Sequence, residues 1–204
     1  MTRVTRYPAL PGVTWRDLAL LLALLSLPCL ATAQTTPDPP RFLYGLSIGP
    51  GNRSTDGELP PSMVPPGAAQ PGFHGLSTTF GIEGGVFITP RIAATTFVDQ
   101  TFGPSSGPGN WGTTDWHGTL RGWVTRKIWL EAGGGLAGLA YKPPPNVSVD
   151  ITRAWSPGFS AAAGMEVLRG AHVSLNVYAR YTASEFDGLK VRRISLQIAL
   201  LGRQ

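Results

Sequence analysis

From Arg41 onward, large apolar residues recur at every second position in a succession of segments, with small or polar residues between them. A period of two marks a β-strand with two unlike faces. The first segment sets Phe42, Tyr44, Leu46 and Ile48 against Gly45, Ser47 and Gly49, and the second sets Leu76, Phe80 and Ile82 against Ser77, Thr79, Gly81 and Glu83. A weaker third, from Ile92 to Phe102, admits two phases. The preferred one joins Ile92, Ala94, Thr96 and Val98 to the large apolar face, because it turns Asp99 to the other. The fourth opposes Trp116, Leu120 and Val124 to Asp115, His117, Thr119 and Arg121. The fifth opposes Ile128, Leu130, Ala132 and Leu136 to Glu131, Gly133, Gly135 and Ala137. The sixth sets Trp155, Phe159, Ala161, Ala163, Met165 and Val167 against Ser156, Gly158, Ser160, Ala162, Gly164 and Glu166. The seventh sets Val173, Leu175, Val177, Ala179 and Tyr181 against His172, Ser174, Asn176, Tyr178, Arg180 and Thr182. The eighth sets Ile194, Leu196, Ile198 and Leu200 against Arg193, Ser195, Gln197 and Ala199.

The connections alternate in size. Short turns fall near Thr89-Pro90, Arg126-Lys127 and Arg169-Gly170, whereas long polar loops are expected at roughly 50–72, 103–114, 142–152 and 183–189. One trimmed rim and one elaborated rim, with an even strand count, predict an all-β fold: an eight-stranded antiparallel up-and-down transmembrane β-barrel over residues 41–204, with short periplasmic turns and longer outer loops. Both termini then lie on the periplasmic side.

The two faces differ in size as well as polarity. One carries Leu, Ile, Val, Phe and Trp; the other carries Gly, Ala, Ser and Thr, punctuated by Glu83, Arg121, Glu131, Glu166, Arg180 and Arg193. An eight-stranded barrel is just wide enough inside for side chains to fill. The small face therefore predicts a lumen plugged by these three acids and three arginines, since buried charges need paired, hydrogen-bonded partners. Phe42, Tyr44, Trp116, Trp123, Trp129, Tyr141, Trp155 and Tyr181 lie near predicted strand ends and suit aromatic girdles at the two interfaces. The rival assignment exchanges the faces and gives a soluble exported barrel that binds a small apolar ligand. It would crowd the lumen with the large residues and leave the outside thinly covered.

Ahead of the strands, Arg3, Arg6 and Arg16 precede an apolar run from Leu18 to Leu30, and Ala31-Thr32-Ala33 supplies a small-x-small cleavage pattern. Residues 1–33 are read as a cleaved secretory signal with Gln34 as the first mature residue. A helix over that run would span only about 20 Å, short of a roughly 30 Å hydrocarbon core. Cys29, the sole cysteine, then leaves with the leader, and Ser26-Leu27-Pro28 lacks the small residue of a lipoprotein site. Residues 34–40 form a Pro-rich linker. With Gly 26, Pro 19, 14% charged residues and a mean hydropathy of +0.03, the 204-residue chain suits a single turn-rich ordered domain. Of the formal charge of +5, Arg3, Arg6 and Arg16 against Asp17 account for +2, leaving +3 on the mature part. Its cations are scattered, so no nucleic-acid footprint is present.

On these patterns, and on textures such as Gly81-Ile82-Glu83-Gly84-Gly85-Val86-Phe87-Ile88-Thr89-Pro90 and Leu130-Glu131-Ala132-Gly133-Gly134-Gly135, the chain resembles the small outer-membrane barrels of the OmpA-transmembrane, OmpX and opacity-protein type over residues 41–202. The resemblance implies a monomer surrounded by outer-membrane lipid, without cofactor, acting as a structural or surface-interaction protein whose loops meet an extracellular ligand or a host surface. The chain departs from that group in ending Leu200-Leu201-Gly202-Arg203-Gln204, where its members carry an aromatic residue read by the assembly machinery.

One constellation is similar to a barrel enzyme, the lipid A deacylase, which has a His-x-Ser pair and a later acid: His172-x-Ser174 with Glu185. A nucleophile needs its base, and the base its orienting acid, within hydrogen-bond reach. Eleven strand residues at about 3.3 Å each place Glu185 some 35 Å from Ser174. His74, His117 and His172 show no metal-ligand spacing, and Gly133-Gly134-Gly135 lies inside a strand rather than before a helix, as a phosphate loop would. No catalytic, metal or cofactor residue is assigned.

Overall fold

A computed structural model describes residues 41–58, 75–104, 110–142 and 152–204. The leader, the linker and His74 lie outside the described residues. Among the described residues every regular element is a strand: β1 (Phe42–Asp56), β2 (Gly75–Thr89), β3 (Ile92–Pro104), β4 (Asn110–Trp123), β5 (Ile128–Lys142), β6 (Thr152–Arg169), β7 (Val173–Phe186) and β8 (Leu189–Arg203). Each pairs antiparallel with its chain neighbours, and β8 closes on β1 to complete the barrel.

Stepping from partner to partner round the wall, from Gly45 through Glu83, Phe97, His117, Gly135, Gly158, Ser184 and Val191, returns to β1 at Thr55, ten residues beyond the start. A stagger of this kind obliges the strands to tilt by roughly 35–45° to the barrel axis. The alternation of the sequence fixes which face turns out. Leu120 and Leu196 are 59% and 55% exposed, whereas Arg121 and Arg180 are 0% and 1% exposed. In β3, Ile92, Thr96 and Val98 face outward, and Ala93, Thr95, Phe97 and Asp99 inward.

At the short-turn rim, the Thr125 hydroxyl accepts hydrogen bonds from the Lys127 and Ile128 amides at 3.2 and 3.0 Å, closing the β4–β5 hairpin. The opposite rim differs from expectation. β1 continues to Asp56 and β4 starts at Asn110, so strand occupies much of what the polar composition suggested as loop. The expected loop at 183–189 is a two-residue turn between Phe186 and Leu189, with Asp187 at φ 46° and Gly188 at φ 91°. Two consecutive positive φ values match the twist of a tight hairpin, which an Asp-Gly pair adopts readily. The strands keep pairing here because their inward positions become apolar again.

Candidate functional site

The buried side chains of the inward face group into three layers. In the middle, Arg121 of β4 joins Glu83 of β2 and Glu131 of β5, with Nη2 2.5 Å from Glu83 Oε2 and Nε donating to Glu131 Oε2 at 2.7 Å. Arg180 of β7 donates through Nη2 to Glu131 Oε1 at 3.0 Å and through Nη1 to both oxygens of Asp99 on β3 at 3.2 Å. Arg193 of β8 reaches Asp99 Oδ2 at 3.2 Å and Asp115 Oδ2 of β4 at 2.8 Å, and also donates to the Thr101 hydroxyl. Gln197 extends the chain: its Nε2 donates to Ser195 Oγ at 2.9 Å, and its Oε1 accepts from Tyr178 Oη at 2.9 Å and Ser47 Oγ at 2.7 Å.

Four carboxylates and three guanidiniums thus alternate across the lumen, linking six of the strands. The arginines also lie over rings, Arg121 at 4.0 Å from the centroid of Trp129 and Arg180 at 3.6 Å from that of Phe97. Such stacking suits guanidinium, which is planar and weakly hydrated.

Toward the short-turn rim an apolar layer follows, with Leu43, Trp123, Trp129, Tyr178 and Leu201 among its members. Trp129 Nε1 donates to Asn176 Oδ1 at 3.1 Å, so its polar edge is satisfied while it fills the lumen. Toward the other rim, Trp111, Leu139, Phe186, Leu189 and Val191 form a second buried apolar cluster. On β8 these last two positions lie beyond Arg193, so the charged layer has an apolar cluster on each side.

Of the acids and arginines expected in the lumen, Glu83, Arg121, Glu131, Arg180 and Arg193 meet in this central network. Glu166 is also buried but stands apart near the β6–β7 turn, where it pairs with Arg169 and with Arg203 Nη2 at 2.8 Å. Asp99 and Asp115 belong to the network without being among the expected six. Both lie on the polar face of their segments, and only the closed barrel brings them to arginines from other strands. Two of the expected girdle aromatics are corrected: Trp123 and Trp129 point into the lumen, on the same faces of their strands as Arg121 and Glu131. Phe42, Trp116 and Trp155 face outward and are exposed; the side chain of Tyr141 lies outside the described residues.

His117 is buried in the lumen wall, with its ring edge-on to Phe97 at 5.3 Å, and the facing strands carry Gly135 and Gly158 where it packs. His172 is exposed at the short-turn rim, and Ser174 is buried, accepting from Asn176 Nδ2 at 2.9 Å. Glu185 lies at the opposite end of β7, paired in register with Lys190. The three side chains of the hydrolase-like constellation do not come together.

No known family profile matches the sequence, and no curated protein is detectably similar to it. Solved structures do match its shape. Neisserial surface protein A superposes with a TM-score of 0.61 at 12% identity, over 79% of this chain and 97% of that one. Ail, the attachment invasion locus protein of Yersinia pestis, solved with the heparin analogue sucrose octasulfate, gives a TM-score of 0.50 at 12% identity over 79% of this chain and 99% of that one. At that identity the likeness concerns the backbone alone, and the fold of this chain is that of the eight-stranded outer-membrane β-barrels.

Proposed function

We propose that this chain is a monomeric, non-enzymatic barrel of the bacterial outer membrane, exported with residues 1–33 as a cleaved leader, its lumen closed by its own side chains. Its role is structural or in surface interaction, exercised through the long connections of the outer rim. The observation that carries this reading is the inversion of polarity: the large aliphatic side chains face outward and the paired charges inward. A soluble barrel with a ligand cavity needs the opposite assignment. On β7 the outward run Val173, Leu175, Val177, Ala179 and Tyr181 covers roughly 20 Å of height at about 3.3 Å per residue and a tilt near 40°. That is close to the apolar band of about 25 Å that outer-membrane barrels present to lipid.

The absence of catalysis is supported by the engagement of Glu83, Asp99, Asp115, Glu131 and Glu166, each ion-paired to at least one arginine, and by the separation of Ser174 from Glu185. On this reading an extracellular partner would be met by the connections between β1 and β2, β3 and β4, and β5 and β6. The test is fractionation of cells expressing the full chain, with N-terminal mass spectrometry of the exported form. The expected result is a detergent-extractable outer-membrane protein beginning at Gln34. A water-soluble periplasmic protein, or a mature chain retaining a lipidated Cys29, would overturn the reading.

A further inference from the structure

On the outside of the wall the β6–β7 ladder stops at Gly158 and Ser184, although β6 continues to Thr152 and β7 to Phe186. Pro157, which lacks an amide hydrogen, is the next residue along β6, and the Ser156 hydroxyl donates instead to the Glu185 carbonyl. Where the strands part, a shallow outward depression of about 370 Å³ opens, lined by Pro157, Gly158, Phe159, Ala183, Lys190 and Arg192 among others.

Its position and charge are both informative. On β8 the outward positions run Leu200, Ile198, Leu196 and Ile194, after which Arg192 and Lys190 follow, so the apolar belt ends at the depression. Arg192 is paired in register with Ala183 on one side and Ser54 on the other, with no acid opposite it. Lys190 is paired in register with Glu185 on one side and Asp56 on the other. Among the described residues no carboxylate lies within ion-pairing distance of Arg192 or Lys190.

We propose that this depression binds the phosphate-bearing headgroup of an outer-leaflet lipid, with Arg192 as the principal ligand and Lys190 as its neighbour. The inference rests on the membrane reading above. A guanidinium at the end of an apolar belt, with a recess beside it, fits a ligand whose acyl chains lie along Ile194 and Phe159 while its phosphate meets the cation, and Arg recognises phosphate by paired hydrogen bonds. Glu185 also lines the recess and opposes an anion there.

The test uses the full chain expressed with its leader, extracted from the membrane fraction in a zwitterionic detergent. Native mass spectrometry then follows retention of a diphosphorylated glycolipid, its dephosphorylated form, and inorganic phosphate. The expected result is one phosphorylated glycolipid per barrel, with retention falling about tenfold in the Arg192→Ala, Lys190→Ala double variant, the size of one charge-assisted hydrogen bond. Retention rises in Glu185→Gln and is unchanged in Arg126→Ala, Lys127→Ala, whose cations lie at the opposite rim. A barrel absent from the membrane fraction defeats the membrane reading and this proposal with it. A membrane-extracted barrel that holds both glycolipids equally, or holds them equally with and without Arg192 and Lys190, defeats the proposal alone. Displacement by inorganic phosphate without any glycolipid retention assigns the recess to free phosphate and overturns the lipid.

Discussion

Arg180 and Asp99 face each other across the barrel, from β7 and β3, with one guanidinium nitrogen 3.2 Å from each carboxylate oxygen. Asp99 also receives Arg193 and is 0% exposed, so two cations share this acid, while Arg180 also holds Glu131 and Arg193 also holds Asp115. Breaking a buried ion pair by removing one partner costs about 3–5 kcal/mol, and here each arginine loses one of its acids and keeps another, which places the loss at the lower end. Asp99→Ala is therefore expected to lower stability by about 3 kcal/mol in urea titrations of the barrel in phospholipid vesicles. The Asp99→Ala, Arg180→Ala double variant is expected to lose less than the sum of the single losses, by roughly 0.5–3 kcal/mol. Strict additivity would show that the pair contributes no coupling.

A second expectation concerns glycine as a spacer. A Cβ at Gly164 on β6 would run into the ring of Trp129 and the Cβ of Tyr178, whereas one at Gly118 on β4 meets nothing within 4 Å. Gly164→Ala is expected to destabilise the barrel by about 1–3 kcal/mol through overpacking, and Gly118→Ala to stay within about 0.5 kcal/mol of the parent. The same vesicle titration separates the two.

The turn at Asp187-Gly188 gives a third. Gly188 sits at φ 91°, and an alanine there adopts a conformation that side chains disfavour. Gly188→Ala should cost about 1 kcal/mol, and Asp187→Asn should be nearly silent, because Asn-Gly suits the same turn. A reversed order would mean that the hairpin is held by contacts other than its backbone geometry.

The periodicity makes the wall legible because outward-facing and lumen-facing positions alternate residue by residue, and Leu130 beside Glu131 is enough to assign a phase. Arg121 and Glu131 are legible as partners in one face because they flank a short turn. Asp99 is not, since its arginines come from β7 and β8 and only closure of the barrel brings them near. Trp129 misleads for a different reason. An aromatic residue at a strand end suits either an interface girdle or a lumen, and its phase relative to Ile128 and Leu130, both exposed, decides for the lumen. Around 183–189 the polar composition masks the Asp-Gly hairpin signal, and the apolar inward residues Phe186 and Leu189 show why pairing continues to the turn.

A fourth expectation tests closure of the lumen. Trp129, Arg180 and Leu139 are buried in successive layers of the lumen, and on the proposed reading, in which these side chains close it, the purified protein in planar bilayers should give no large, stable conductance. Sustained channel currents from the monomer would show that water and ions pass the charged layer and that the packed interior opens in a membrane.

The last expectation distinguishes a lipid-facing wall from a soluble one. Val177 and Leu196 face outward near the middle of the apolar belt, on adjacent strands, and Leu196 is 55% exposed. If that surface meets lipid, an arginine at either position must be accommodated in hydrocarbon, at a cost of about 2–4 kcal/mol near the midplane. In water the same substitution on an exposed position would cost about 0.5 kcal/mol or less. Ser195 provides the contrast, because it is 0% exposed and accepts a hydrogen bond from Gln197; Ser195→Arg meets crowding and charge inside the lumen, whatever surrounds the barrel. Unheated and heated samples on a detergent gel report the folded fraction, and titration in vesicles gives the energy. The membrane assignment requires Val177→Arg and Leu196→Arg to be destabilised in lipid and the parent chain to need detergent or lipid to fold. Parent protein that is monomeric, soluble and β-structured in plain buffer would refute it, because Leu120, Leu130, Leu196 and Leu200 would then be facing water without cost.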